Sequence, residues 1–470
     1  MSFVSRREFL YGSALGLGGL ALTALLKNNF NTPTPFNPHQ GHLTTLHHPA
    51  KVKHVIHLCM SGGPSQMETF DNKPVLKKYH DTSIPEDYLK KNPLPRLQKE
   101  AKTGYKCMGP QFEFKKYGQS GIEVASIFPH VANIVDDLCV IRSMQSDQID
   151  HGPALTFFNT GTILPNRPSM GSWVNYALGS DCDNLPGFVV LSSAGGGMNQ
   201  PVSSNIWHSG FLPSTNQGVK FQSAASKNLV PYIQSPKGVT QELQTELYKA
   251  INEINHESYK HYKDEEIQTR IHQNEMAAKM QLSVPELSDL SKEPDHIQQL
   301  YGPGEYAKNC LMARRLVERG VRFIQLYHRG WDHHEKLKLG LKRVSHLTDQ
   351  ATAALITDLK QRGLLKDTLV IWGGEFGRTP VAQNGDGREH HIKAFSMWLA
   401  GGGIKPGMVH GVTDELGFFV KENPVHVRDL HALILHLLGI DHTRLTYTFQ
   451  GVKQKLTGFE KAQVPKSLLI

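Results

Sequence analysis

Residues 367–380, DTLVIWGGEFGRTP, run from a strongly apolar segment into an abrupt polar turn. Leu369, Val370, Ile371 and Trp372 are branched or aromatic, which predicts a β-strand over 367–373. Two glycines, an acid, a third glycine and Arg378 follow at once. Glu375 then reads either as a solvated acid in a strand-ending turn or as a ligand or catalytic acid on the carboxyl edge of a parallel sheet.

Working outward, further apolar runs at 54–60, 138–143, 187–192, 321–327 and 394–400 predict strands. Helical patterns near 126–136, 168–178, 240–282, 304–319, 340–363 and 428–438 fall between or after them. The alternation predicts an α/β domain with a mostly parallel central sheet and helices on both faces. In such sheets ligands bind beyond the carboxyl ends of the strands. Segments 72–120 and 195–238 lack this rhythm and read as loop-rich insertions.

The chain has 470 residues and a formal charge of +8, which suits an anionic substrate or surface. No nucleic-acid-binding motif accompanies that charge, so no nucleic-acid partner is expected. Five widely spaced cysteines without a Cys-x-x-Cys pair argue for buried thiols and against a cysteine-ligated zinc site. The first residues, MSFVSRREFLYGSALGLGGLALTALLKNN, place Arg6 and Arg7 before a short Gly-rich apolar run. They look like a twin-arginine export signal over 1–27, implying the translocase as an export partner and a periplasmic or envelope location. Membrane contact is expected only through that signal, were it left uncleaved. Residues 28–50 read as a linker and 51–463 as the domain.

Four polar clusters follow predicted strands or open predicted helices. In SGGPSQMETFDNKP (61–74), glycine amides could meet an anion and Glu68 or Asp71 a cation; a capped turn fits as well. In DHGPALTFFNTG (150–161), Asp150 beside His151 reads as a base with its orienting acid, a metal ligand or a helix cap. HRGWDHH (328–334) brings Asp332, His333 and His334 to a strand end, a common first shell for zinc, manganese or iron. GDGREHH (385–391) adds His390 and His391 before the next strand. Neighbouring parallel strands would bring these last residues to Glu375 and Arg378, as suits a metal plus an oxyanion.

Together, the twin-arginine start, SGGPSQMETFDNKP, HGPALTFFNTG, GWDHH, GGEFGRTP, GREHH and LAGGGIKPGMVHG resemble the bacterial export family catalogued as domain of unknown function 1501. That family is a divergent branch of the alkaline phosphatase and sulfatase superfamily. The resemblance covers nearly the whole chain from residue 51 and implies that superfamily's three-layer sandwich. It places Glu375 at a metal-ligand position, gives Asp332 and His334 to one metal, and adds His390 near it. Ser61 takes the place of the first strand's usual ligand aspartate, and Asp71, further along, is the metal-ligand candidate there. Counting back from Thr160-Gly161, the superfamily's nucleophile position falls on His151, which has no hydroxyl, and Leu155 replaces the arginine of the sulfatase maturation motif.

The resemblance thus implies a metal-dependent hydrolase of phosphate or sulfate esters, small or polysaccharide, using zinc, manganese or calcium. A metal-bound water would attack, with His151 as general acid or base and Arg378 steadying the oxyanion. The alternative is a catalytically silent binding or envelope-assembly protein on the same fold. The export expectation is tested by changing Arg6 and Arg7 together to Lys. Because the receptor reads guanidinium geometry, folded precursor should accumulate in the cytoplasm; normal export of that variant would remove the assignment.

Overall fold

The computed structural model describes residues 41–91, 106–196, 200–222, 224, 229–230 and 240–470. The predicted signal, and most of the predicted linker, lie outside them. The last ten linker residues are built into the domain. His42 and Leu43 donate backbone hydrogen bonds to Tyr176 and Ala177, and His47 to Gly439.

The strands that matter for the site are β1 (His54–Ser61), β2 (Leu138–Gln145), β3 (Phe188–Ala194), β4 (Val219–Lys220), β5 (Phe323–Arg329), β6 (Thr368–Gly373), β7 (Gly377–Gln383), β8 (Gly387–His391), β9 (Phe395–Gly401), β10 (Met408–His410) and β11 (Val425–His426). The longer helices among the described residues are α1 (His151–Thr160), α2 (Met170–Leu178), α3 (Gln241–Tyr262), α4 (Glu265–Ser288), α5 (Glu305–Glu318), α6 (Leu337–Gln361) and α7 (Val427–Leu437). A nine-stranded sheet has the order β10-β2-β9-β6-β1-β5-β3-β4, with β11 also on β2. Only β9 runs antiparallel to its neighbours, β2 and β6. The fold is therefore mixed α/β with a mostly parallel sheet.

Three layers follow from the pleat, which sends successive side chains to opposite faces. Ile56, Leu58 and Met60 of β1 join the core that α5 and α6 cover, with Leu316, Leu341 and Leu355. Val55 and Cys59 face the other way, into the core under α1, α2 and α7, with Phe157, Trp173 and Leu433. All five cysteines are buried and free.

Three local expectations change. The helical pattern near 126–136 is a 3-10 helix over Val131–Asp137. The helical stretch 240–282 is two helices, broken where Lys263 takes a left-handed conformation (φ +51°) and α4 turns back onto α3. The polar segment between β6 and β9 does not link parallel strands. Because β9 returns antiparallel, residues 374–394 form one excursion above the carboxyl edge, and β7 and β8 pair within it as a hairpin. Of the predicted insertions, 72–120 holds two short helices and part of a β-hairpin, and much of 195–238 lies outside the described residues.

α1 is fastened to the sheet by a buried polar knot. Asn159 Oδ1 accepts from Gln325 Nε2 at 2.5 Å and from the Tyr327 hydroxyl at 3.0 Å. Gln325 Nε2 also reaches His57 Nδ1 at 3.0 Å.

Burial keeps several core histidines neutral. It pushes His57 and His328 down to about 3 and His431 to about 4. Below pH 6.5 the unfolded chain takes up protons that these folded sites refuse. Stability should therefore fall as the pH drops from about 6.5 towards 4, each site contributing up to about 1.4 kcal/mol per pH unit. In urea unfolding at pH 6.5 and 4.5, His57→Gln, which keeps a polar partner for Gln325, should flatten that loss; an unchanged slope would contradict the account.

Candidate metal centre

The site lies above the carboxyl edge, where β1, β5 and β6 end in Ser61, Arg329 and Gly373. Four segments meet there: the turn after β1, the start of α1, the loop after β5 and the β7–β8 excursion. The meeting needs a glycine at 62. Its φ is +120°, and a Cβ there would lie 2.5 Å from the Asp332 backbone nitrogen. Only a residue without a side chain lets the two loops touch.

His151, Asp332, His334 and His390 offer ligand atoms that all lie within 4.8 Å of one another. His334 Nε2 is 2.9 Å from Asp332 Oδ1, and His390 Nε2 is 3.4 Å from the same oxygen. The two imidazole nitrogens are 3.0 Å apart. His151 Nε2 completes the set, 3.0 Å from Asp332 Oδ2. Side-chain exposures of 15% for His151 and 22% for His334 show the side from which the cluster meets solvent. Phe376 lies against it, with ring centroids 4.4 Å from His390 and 5.1 Å from His151.

Each imidazole is turned inward by a bond to its other nitrogen, an arrangement typical of metal-binding histidines. His151 Nδ1 lies 2.7 Å from Glu375 Oε1, His390 Nδ1 lies 2.7 Å from the Ile149 carbonyl, and His334 Nδ1 lies 2.5 Å from Gln383 Oε1. Glu375 is fully buried and also accepts from the Gly62 N–H at 3.0 and 3.2 Å. It therefore stands behind His151 and outside the four converging donors.

Without a cation the cluster holds a strong internal field. Burial works against charge on both His151 and Asp332. The bonds and charges of Asp332 and Glu375 outweigh it and raise the His151 imidazole to about 9. His151, His334, His390 and Arg378 hold the Asp332 carboxyl well below the usual carboxylate range. Its bond to Asp332 raises His334, whereas burial lowers His390. Such displacement marks a functional site when it coincides with a ligand-like geometry.

Of the residues expected from the sequence, His151, Asp332, His334, His390, Glu375 and Arg378 are brought together, and Asp71 is not. Asp71 is buried against Lys73 Nζ at 2.9 Å and the Thr413 hydroxyl at 2.6 Å, an ion pair that anchors the turn after β1. Glu68 is likewise taken by Arg388, with contacts of 2.6 and 3.1 Å. Arg378 lies behind Asp332, with its Nη2 2.6 Å from Oδ1. His333 and His391 are buried, and burial pushes both down to about 4. Gln383 and the Ile149 carbonyl, which aim two of the imidazoles, carry no sequence signal that could have singled them out.

The geometry makes Glu375 the residue that orients His151. Glu375→Gln keeps the shape and removes the charge, so metal affinity should fall about 10- to 100-fold with the fold retained. Competition with a calibrated chelator measures this, and circular dichroism checks the fold. Unchanged affinity would reduce Glu375 to a structural acid.

The profile of a family described as a protein of unknown function (DUF1501) matches residues 52–468. No curated protein matches the chain. Among solved structures, the PsFucS1 sulfatase from Pseudoalteromonas sp. is 13% identical, with a TM-score of 0.35 over 83% of this chain and 68% of that one. A protein in the alkaline phosphatase superfamily from Vibrio parahaemolyticus is 11% identical, with a TM-score of 0.33 over 90% and 74%. The alkaline phosphatase from the Antarctic bacterium TAB5 is 12% identical, with a TM-score of 0.26 over 80% and 97%. Scores this low mark a loose likeness from which no residue role follows. The match over residues 52–468 settles the family: the chain belongs to DUF1501, whose function is unknown.

Proposed function

We propose that the protein is an exported metal-dependent hydrolase of phosphate or sulfate esters, with the four-donor cluster as its metal centre. The observation that carries this reading is the convergence of His151, Asp332, His334 and His390 on one point. Three imidazoles and one carboxylate suit zinc or manganese. They suit calcium less well, since it prefers shells built of oxygen. A divalent ion held there would act as a Lewis acid and bring the pKa of a bound water towards 7.

The chain's own residues supply the rest. Glu375, Gln383 and the Ile149 carbonyl keep three imidazole Nε2 atoms aimed inward. Arg378 offsets the charge on Asp332 from behind, so the centre stays attractive to an anionic ester. The net charge of +8 supports the same substrate class, small or polysaccharide. The SRREFL start supports delivery by the twin-arginine translocase to the periplasm or envelope.

One observation favours a second reading, a silent binding or envelope-assembly protein. α1 opens with His151, so no hydroxyl nucleophile stands at its start. Elemental analysis of protein folded in the cytoplasm, with assays on 4-nitrophenyl phosphate and 4-nitrophenyl sulfate, separates the two. Stoichiometric metal and turnover of one ester are expected, both lost in His334→Ala and His390→Ala. Bound metal without turnover would select the silent protein, and absence of metal from folded wild-type protein would overturn the metal centre.

A further inference from the structure

Arg378 uses its donors inside the protein. Its Nε donates to the Gly63 carbonyl at 3.0 Å and its Nη1 to the Arg388 carbonyl at 3.0 Å. Its Nη2 donates to the Gly62 carbonyl and, at 2.6 Å, to Asp332. Four of the five guanidinium N–H groups are thereby accounted for, and the side chain is 1% exposed. An ester's anionic group needs another cation.

Arg329 is in place to be that cation. It ends β5, in register with Ser61 of β1 and Ala194 of β3, at the edge where the metal donors gather. The pleat puts Gln325, Tyr327 and Arg329 on one face, the face on which Gln325 and Tyr327 both bond Asn159 of α1. His328 points the other way, to Ser193 and Tyr306. From Tyr327 to Arg329 the strand climbs about 6.7 Å towards the carboxyl edge. Over the residues from Asn159 back to His151, α1 climbs about 12 Å in the same sense. Arg329 thus lies at the carboxyl edge on the face of the sheet that α1 covers.

Its guanidinium is also unoccupied. Among the described residues nothing pairs with it, and its Nε is buried without an acceptor. Arg315 and Arg428 also have an Nε lacking a hydrogen bond, yet carboxylates hold both through their Nη atoms, and the Arg314 Nε lies 3.0 Å from Asp358 Oδ2. Arg322, Arg378 and Arg388 are ion-paired as well. The buried Nε, left without an internal acceptor, is a donor that a ligand would satisfy.

We infer that Arg329 is the anion-binding residue of the site, taking a tetrahedral oxyanion, the phosphate or sulfate group of the ester, beside the metal donors. This rests on the metal-centre reading. The planar fork matches two oxygens of such a group at once, which a lysine cannot do.

The test titrates inorganic phosphate and inorganic sulfate into metal-loaded wild-type, Arg329→Gln, Arg329→Lys and Arg343→Gln proteins by calorimetry, with metal affinity measured on the same samples. Arg343 is the control: an exposed arginine whose guanidinium carbon lies over Gly196 on the face of the loop after β3. The dissociation constant for the preferred anion should rise about tenfold or more in Arg329→Gln. It should rise less in Arg329→Lys and stay unchanged in Arg343→Gln, with metal affinity constant throughout. Whichever anion binds more tightly names the ester class. Wild-type affinity in Arg329→Gln, or an equal loss in Arg343→Gln, would overturn the inference and leave the metal centre standing. Arg329-dependent anion binding by a protein that takes up no metal would do the reverse.

Discussion

The guanidinium of Arg378 holds the upper edge of the molecule together. It reaches the turn after β1 through the Gly62 and Gly63 carbonyls, the loop after β5 through Asp332, and its own hairpin through the Arg388 carbonyl. The amide of Gln66 closes the same knot, accepting from the Arg378 N–H at 2.9 Å and donating to its carbonyl at 2.8 Å. All of this is buried, where removing one member of a charge pair typically costs about 3–5 kcal/mol. The position of Asp332, and with it the meeting of three histidines, depends on that clasp.

Around it the charges are layered. Arg378 and Asp332 form an inner pair, Arg388 and Glu68 a second, and Lys73 and Asp71 a third, each buried. The second and third are closed to ligands because their acids already have partners. Only the first is also faced by imidazoles that have no other use for Nε2. Chemical potential at this edge is therefore concentrated in one place, although acids and bases are spread along all of it.

Much of this was legible in the sequence. Strands β1, β2, β3, β5, β6 and β9 appear as apolar runs within a residue or two of their observed bounds, because each is buried and its composition had little freedom. GWDHH and GREHH drew attention as a candidate site because histidine and acid crowd together in them. What stayed hidden depends on partners distant in sequence. HGPALTFFNT has Gly and Pro in its first turn and reads poorly as a helix, yet it is one, since Asn159 and its phenylalanines are packed against the sheet. The β7–β8 hairpin has no apolar alternation, and its pairing is held by the Gln66, Glu68 and Arg388 contacts below it. Asp71, read as a possible cation ligand in a segment that a capped turn fitted as well, is claimed by a lysine two residues away.

The converging donors also set an order of events in folding. His151 and Glu375, which touch, are 224 residues apart in the chain, and Asp332 lies between them in sequence. No half of the chain contains the whole set, and the donors meet only once β1 has paired with both β5 and β6. Contacts of such long range form late, because loop closure is unfavourable until many of them act together. An ion captured here cannot template the fold as it does in a zinc finger. It would instead latch an edge already formed, so occupancy of this centre would report that β1, β5 and β6 have paired.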